Sequence, residues 1–390
     1  MPRFNPLVSD LSTPPIPSVH AWARAYDGRL GPLIDLSQAV PGYPPHPALL
    51  DRLSRAAGEP GTASYGAIEG DAALRQALAD HQNALYGATL TRENIHITAG
   101  CNQAFVCASL AVAEPGSRIL LTNPFYFNHE TTLKMFGIGV GLVDCPAERG
   151  FLPDPATLEA AIGPDVRAFA VVSPNNPTGA LYPPDLLDDL RRVCERRGVW
   201  FILDETYRDF LPASARIPHD LFLRPGWEET LISLYSFSKS FCVPGYRLGA
   251  VTGSPRLIAE IAKIMDNLQI CAPRVGQIAV AETLASLADW REANRGEIAA
   301  RAAELRSVIG AAPGWEIGAI GAYFAFVRHP FAEETSASVS ERLARNAGVV
   351  TVPGEFFGPG QEGYLRFAFA NASVEVIAAI AERLAVPAGD

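Results

Sequence analysis

The sequence predicts an α/β protein: a large domain built on a mostly parallel sheet flanked by helices, joined to a smaller α+β domain. Three observations carry this expectation. Short apolar runs alternate with amphipathic stretches through the middle of the chain. Those runs are continuous rather than alternating, which is the pattern of strands covered on both faces. The C-terminal third then changes to long helical stretches with few strands, as in an α+β unit. At 390 residues the chain exceeds what one hydrophobic core usually serves. Residues 46–295 are assigned to the large domain, and residues 1–45 with 296–390 to the small one.

Taken in order, Asn94–Thr98 is the first β-prone run of the sheet. Gly100-Cys101-Asn102-Gln103 follows it and opens an apolar helix over Ala104–Ala113, so free N–H groups at that helix start suit an anion. Arg118–Thr122 is a second run. Ala168–Val172, the polar loop Ser173–Gly179, a helix with apolar residues at Leu186, Leu187, Leu190, Val193 and Cys194, and the run Val199–Leu203 read as one βαβ unit. Pro183 and Pro184 stand near that helix start and Gly198 at its end, the usual places for these residues. Leu231–Tyr235 is a further run. Beyond it, Ile258–Leu287 and Glu297–Ile309 read as helical, Tyr323–Val327 and Leu365–Ala370 as strands, and Val374–Leu384 as a closing helix. The Pro-rich start, up to about Pro45, has little core of its own and is expected to pack against this last part.

Composition narrows the function classes. The formal net charge of −10 argues against a nucleic-acid or anionic-membrane surface. The six cysteines, scattered without a Cys-x-x-Cys pair, read as free thiols in a reducing compartment. The seven histidines lack metal-ligand spacing, so no metal is expected. No signal peptide and no apolar run of membrane-spanning length are visible, which predicts a cytoplasmic protein.

In open α/β sheets, ligands gather where strands end and loops begin. Asp204 directly follows Val199–Leu203. Its plain reading is a turn or cap residue; its functional reading is a carboxylate paired with a cationic ring nitrogen, which pyridoxal phosphate requires to act as an electron sink. Ser236-Phe237-Ser238-Lys239 follows Leu231–Tyr235, with Arg247 close behind. A lone lysine there would be a surface residue. Two hydroxyls, an amine and a guanidinium together suit a phosphate-bearing aldehyde: the hydroxyls and Arg247 bind phosphate, and the amine condenses with the aldehyde. The loop Ser173–Gly179 is a tight turn that can also aim an amide at a ligand.

Asn-Pro-Thr-Gly at 176–179, Asp204-Glu205-x-Tyr207, Ser-x-Ser-Lys at 236–239, Arg247 in Gly-Tyr-Arg-Leu-Gly and Arg366 in Leu-Arg-Phe occur in this order. The set resembles the class I/II aminotransferases, the aspartate-aminotransferase-like branch of fold type I pyridoxal 5'-phosphate enzymes. The resemblance runs from Leu36 to Arg366 and implies a large domain with a seven-stranded type of sheet. It implies that Lys239 holds the cofactor as a Schiff base and then moves a proton between the substrate α-carbon and the cofactor. Asp204 would pair with the pyridine nitrogen, and Asn176 and Tyr207 would bond the phenolic oxygen. Tyr126 would stack on the ring. The phosphate would fall to the backbone around Gly100, Cys101 and Asn102 and to Ser236, Ser238 and Arg247. Tyr65 would cross to the phosphate of a second subunit, which implies a homodimer with shared sites. Arg366 would clamp the substrate α-carboxylate, with Asn176 and Ala39 also at the substrate.

The chain departs from the family pattern in places. Ala39 stands where a glycine often lets the backbone approach substrate. Asn102 stands where one aspartate-specific subgroup has a lysine. Asp266 and Asn267, with Arg274 the nearby cation, replace an arginine that another subgroup takes from its partner. The expected reaction is exchange of an amino group between an L-amino acid and a 2-oxo acid, as part of amino-acid biosynthesis. A lyase of the carbon–sulfur or cyclopropane-forming kind shares Lys239 and Asp204, and a non-catalytic ligand sensor is the remote alternative. His20, Trp22, Tyr43 and Tyr323 are candidates, by position, for a side-chain pocket or for packing.

Overall fold

The computed structural model describes residues 2–215 and 217–384; residues 1 and 385–390 of the expected small domain lie outside them. The strands in chain order are β1 (Ile34–Asp35), β2 (Ile95–Thr98), β3 (Arg118–Asn123), β4 (Gly139–Asp144), β5 (Val166–Val172), β6 (Trp200–Asp204) and β7 (Leu231–Ser236). They continue with β8 (Gly249–Thr252), β9 (Glu316–Gly321), β10 (Phe324–Arg328), β11 (Val349–Val350), β12 (Val352–Pro353) and β13 (Tyr364–Ala368). Seven of them form one sheet in the order β2-β8-β7-β6-β5-β3-β4. Pairings from β7 through β4 are parallel, and β8 runs antiparallel to both of its neighbours.

Burial explains why the central strands read so clearly. Every residue of β6 from Phe201 and of β7 is buried, so these strands are covered on both faces. Helices on either side supply the cover. One core layer joins Leu190, Val193 and Phe201; another joins Phe105, Ile202, Leu234 and Ile261.

The parallel strands deliver their C-terminal ends to one edge, so Thr98, Asn123, Val172, Asp204 and Ser236 all finish there. Because β8 is reversed, its first residue, Gly249, lies at that same edge, paired with Ser236 and Thr98. Arg247, two residues earlier, is therefore carried to where the other strands end. The reversal is a topological feature that a run of four apolar or small residues does not announce.

A second, antiparallel sheet has the order β12-β13-β10-β9. The N-terminal segment packs beside it: β1 pairs in parallel with β11 as a separate two-stranded sheet, and Ile34 and Leu36 share a core with Val349 and Phe367. The Leu36 N–H donates to the Val350 carbonyl at 2.8 Å, and the Leu36 carbonyl accepts from the Ala368 N–H at 2.8 Å. Residues 37–40 are thereby laid across the end of β13.

Some elements differ from expectation. The stretch Ile258–Leu287 is two helices, Pro255–Leu268 and Arg274–Thr283. Ile270 sits at φ 67 in the break, and Pro273 opens the second helix, since proline biases the residue before it away from helical geometry. The helix expected over Ala104–Ala113 starts three residues earlier, at Cys101. The closing helix is divided into Val374–Ala378 and Ile380–Leu384. Strands β4 and β9 carry two glycines each and are mostly half-exposed, which blurs the apolar signal on which strand recognition depends.

Candidate active site

Lys239 lies in a single helical turn, Phe237–Ser240, directly after β7. The chain has three lysines. Lys134 and Lys263 have side chains 56% and 69% exposed and paired with Glu130 and Glu260. Lys239 instead lines a cavity of about 180 Å³ at the strand-end edge. Its Nζ donates to the Ala39 carbonyl at 2.5 Å. Burial, then the Arg366 and Arg247 guanidiniums, push its amine down to about 8, because a cation is costly in a site already holding positive charge.

Asp204 closes the opposite wall. It is buried at the end of β6. Its Oδ1 accepts the Thr206 N–H at 2.9 Å, and Oδ2 lies 3.5 Å from His129 Nε2. The His129 ring stacks on Phe105 at 3.9 Å and meets the Tyr126 ring edge-on at 5.2 Å. His129 and Thr206 thus fix the carboxylate, and neither stood out in the sequence. His129 is one helical turn beyond Tyr126, in the helix Phe127–Met135, a spacing that could have suggested it.

The third wall combines a helix start with polar side chains. Gly100 (φ 88) precedes the helix Cys101–Val112. A Cβ on Gly100 would stand 2.3 Å from Arg247 Nη2, and one on Gly249 would stand 2.5 Å from the Gly100 carbonyl carbon. Both glycines therefore permit close approach of strand, turn and guanidinium. Arg247 donates to the Pro244 and Ala99 carbonyls at 3.0 and 3.2 Å, leaving it exposed at the cavity mouth. Ser236 caps the turn by accepting the Ser238 N–H. Cys101, Asn102, Ser236, Ser238 and Arg247 line this end.

A second cavity of about 280 Å³ adjoins the first and shares Tyr126, Asn176, Tyr207 and Lys239 with it. Arg366, from the middle of β13, forms its floor. It is buried between the Phe324 and Phe357 rings, each 5.0 Å away. It donates to Asn176 Oδ1 at 2.9 Å and to the Ser37 carbonyl at 2.5 Å, while its Nε has no partner. Asn176 reaches it because Gly179 (φ 77) lets the loop after β5 pack on the small sheet; a Cβ there would stand 2.3 Å from the Phe324 carbonyl. Tyr207 is buried edge-on to Phe324 at 5.1 Å, and burial holds its hydroxyl well above the ordinary phenol value. Ala39 lines this cavity from the segment laid over β13.

Most of the candidate residues are thus gathered around two joined cavities, with Gly100 at the helix start next to Cys101. Tyr65 is 77% exposed and lines neither. His20, Trp22, Tyr43 and Tyr323 line neither as well. His20 holds Ser37 Oγ at 3.0 Å and Asp35 at 3.3 Å; Tyr43 packs on Trp290, and Tyr323 on Tyr207. Ile16 and Phe127 line the second cavity instead.

The donor set fits pyridoxal 5'-phosphate. An amine, a carboxylate and an anion-binding end with hydroxyls and a guanidinium face one cavity, and an unpartnered guanidinium nitrogen sits beside it. Among the described residues no cluster of His, Cys, Asp and Glu could hold a metal ion, and no helix is long and apolar enough to cross a membrane.

Comparison with known proteins agrees. The family model "Aminotransferase class I and II" matches residues 31–384. An aromatic aminotransferase of Arabidopsis thaliana is 28% identical over 94% of this chain and 92% of its own length. An aspartate aminotransferase of Pyrococcus horikoshii is 28% identical over 89% of each. Among solved structures, a double mutant of Thermus thermophilus aspartate aminotransferase superimposes with a TM-score of 0.88, at 26% identity, over 98% of this chain and 99% of that one. These relatives lend the lyase alternative no support.

Proposed function

Because the chain belongs to the class I and II aminotransferases, it is a pyridoxal 5'-phosphate enzyme that moves an amino group between an amino acid and a 2-oxo acid, and we propose which residues do this. Lys239 is the catalytic residue: its Nζ would hold the cofactor through the aldehyde and, as a free amine, would take up the proton of the substrate α-carbon. The observation that carries this is that Lys239, alone of the three lysines, lines the cavity opposite Asp204. An amine near 8 keeps a usable free-base fraction at neutral pH.

When bound, the cofactor supplies the electron sink that acidifies the substrate α-carbon. Asp204, held by His129 and the Thr206 N–H, keeps the ring nitrogen protonated. Asn176 and Tyr207 would hold the phenolic oxygen, and Tyr126 would cover the ring, all three lining the same cavity. The helix start at Gly100, Cys101 and Asn102, with Ser236, Ser238 and Arg247, takes the phosphate. Arg366 takes the substrate α-carboxylate in its planar fork, with Asn176 and Ala39 beside it. The Ala39 carbonyl also anchors the resting amine.

The homodimer with shared sites is part of the same proposal. Tyr65, Tyr246, Leu268 and Ile270 are exposed hydrophobics. The Gly66 N–H contact to Cys271 and the Gln103–Gln269 bond draw three segments together near the phosphate end, and a second copy would cover them. Tyr65 would then reach the neighbouring phosphate. A cytoplasmic, biosynthetic enzyme fits the six unpaired thiols. The large domain is taken as 46–295 and the small as 1–45 with 296–390, the boundary falling within the helix Ala288–Ala311, which would link them.

The test is a single half-reaction. Holoenzyme mixed with an L-amino acid alone should convert its cofactor to the amine form and release one 2-oxo acid per site. The variant Lys239→Ala should do neither at a measurable rate. Conversion at the wild-type rate by that variant would remove Lys239 from the role.

A further inference from the structure

We propose that this site is selective for amino acids with uncharged, apolar side chains, and this rests on the assignment of Arg366 to the α-carboxylate. With that group on Arg366 and the α-carbon beside Lys239, the substrate side chain must occupy the remainder of the second cavity. Its remaining wall is Ile16, Val40 and Phe127, with the polar side chain of Gln38 among them.

Every charged group lining the two cavities is accounted for. The cations are Lys239, Arg366 and Arg247, and the one anion is Asp204. Arg247 faces the first cavity, tied to two carbonyls. Asp204 sits at the far wall beside His129. Three of the polar groups near the side-chain wall are bonded within the protein. Ser37 Oγ donates to Asp35 at 2.6 Å, the Tyr126 hydroxyl accepts from Asn128 at 2.7 Å, and Asn176 Oδ1 accepts from Arg366. A second carboxylate against this wall would meet no cation of its own subunit beyond those already assigned. A guanidinium or ammonium there would meet no anion of its own subunit. Burying either charge is expensive, whereas an apolar chain gains by leaving water.

Rapid mixing of holoenzyme with one amino acid at a time tests this. The second-order rate constant for conversion of the cofactor is read for leucine, methionine and phenylalanine, and for aspartate, glutamate and arginine. The best apolar donor should exceed each charged one by at least about tenfold. In Ile16→Ala and Phe127→Ala, the ratio of the leucine to the alanine rate constant should fall about tenfold, because apolar wall is removed without touching the reacting atoms. In Val40→Lys, the ratio of the aspartate to the leucine rate constant should rise, which a merely structural role for Val40 would not produce. A charged donor that equals or outruns the apolar ones in the wild type overturns the proposal, whichever subunit supplies its partner charge. If some donor reacts but the wrong class is fastest, the aminotransferase assignment stands and only the selectivity falls. If no amino acid converts the cofactor, both fall.

Discussion

Lys239 and Arg366 show how far single residues can be read. A lysine after a strand is ordinarily a solvated surface group, and only its neighbours in sequence argued otherwise. What the sequence could not show is its charge state, which depends on burial and on Arg366, a residue 127 positions away. A lysine near 10.5 is almost wholly protonated at neutral pH, whereas one near 8 is about a tenth free base at pH 7. The sign is that lowering an amine pKa raises the nucleophilic fraction at any given pH below it. Capture of pyridoxal 5'-phosphate by the apoprotein should therefore speed up with pH and level off above about 8; a rate still climbing well beyond that would contradict it. Arg366 makes a second prediction. Arg366→Lys keeps the charge but loses the planar fork, so the rate constant for the amino-acid half-reaction should drop about 30-fold, equivalent to about 2 kcal/mol. Stopped-flow mixing reads it. Ile16 and Phe127 were not legible, because each acts by where its element is placed, and His129 offered only its spacing from Tyr126.

At the scale of elements, the strand ends were legible and their reversal was not. Continuous apolar runs marked β2, β3, β5, β6 and β7, so the loops that follow them could be searched. Strand β8 was missed, and it is what brings Arg247 to the cavity. Its first residue predicts a sharp effect. Gly249→Ala would drive a Cβ to within 2.7 Å of the Cys101 nitrogen, parting the helix start from the sheet. Overpacking of this kind costs about 1–3 kcal/mol, so the melting temperature should fall, and cofactor affinity should fall with it in a fluorescence titration. The other side of the β6 end is an ionic anchor. Glu205 accepts from Tyr86 and Ser233, each at 2.5 Å, and lies 3.0 Å from His219 Nε2. Burial pushes its carboxyl up, but His219, Arg208 and Ser233 outweigh this and leave it at about 2. A depressed carboxyl stabilises the fold above its unfolded value of 4.5 and loses that contribution as pH falls toward 2. Glu205→Ala should cost about 3 kcal/mol at neutral pH, and denaturant melts should show the gap to wild type narrowing across that acid range. A gap independent of pH would assign the loss to packing alone.

At the scale of the whole molecule, the three sheets, the crossing N-terminal segment and the cluster around Tyr65 act together. The contact of residues 36–42 with the end of β13 followed from a chain start too poor in apolar residues to make its own core. The division of Ile258–Leu287 did not, since periodicity alone ran through it. Exposed Tyr65, Tyr246, Leu268 and Ile270 predict that sedimentation will find twice the 41.8 kDa chain. A fully active monomer would refute shared sites, and Tyr65→Phe should weaken cofactor binding in the dimer. The account turns on Lys239, and the chain's three lysines permit a direct test. Borohydride reduction of the holoenzyme, which fixes a lysine–aldehyde linkage, followed by digestion and mass spectrometry should find the cofactor on the peptide carrying Lys239 and on neither of the others. Cofactor recovered on Lys134 or Lys263, or released without any peptide attachment, would contradict the account.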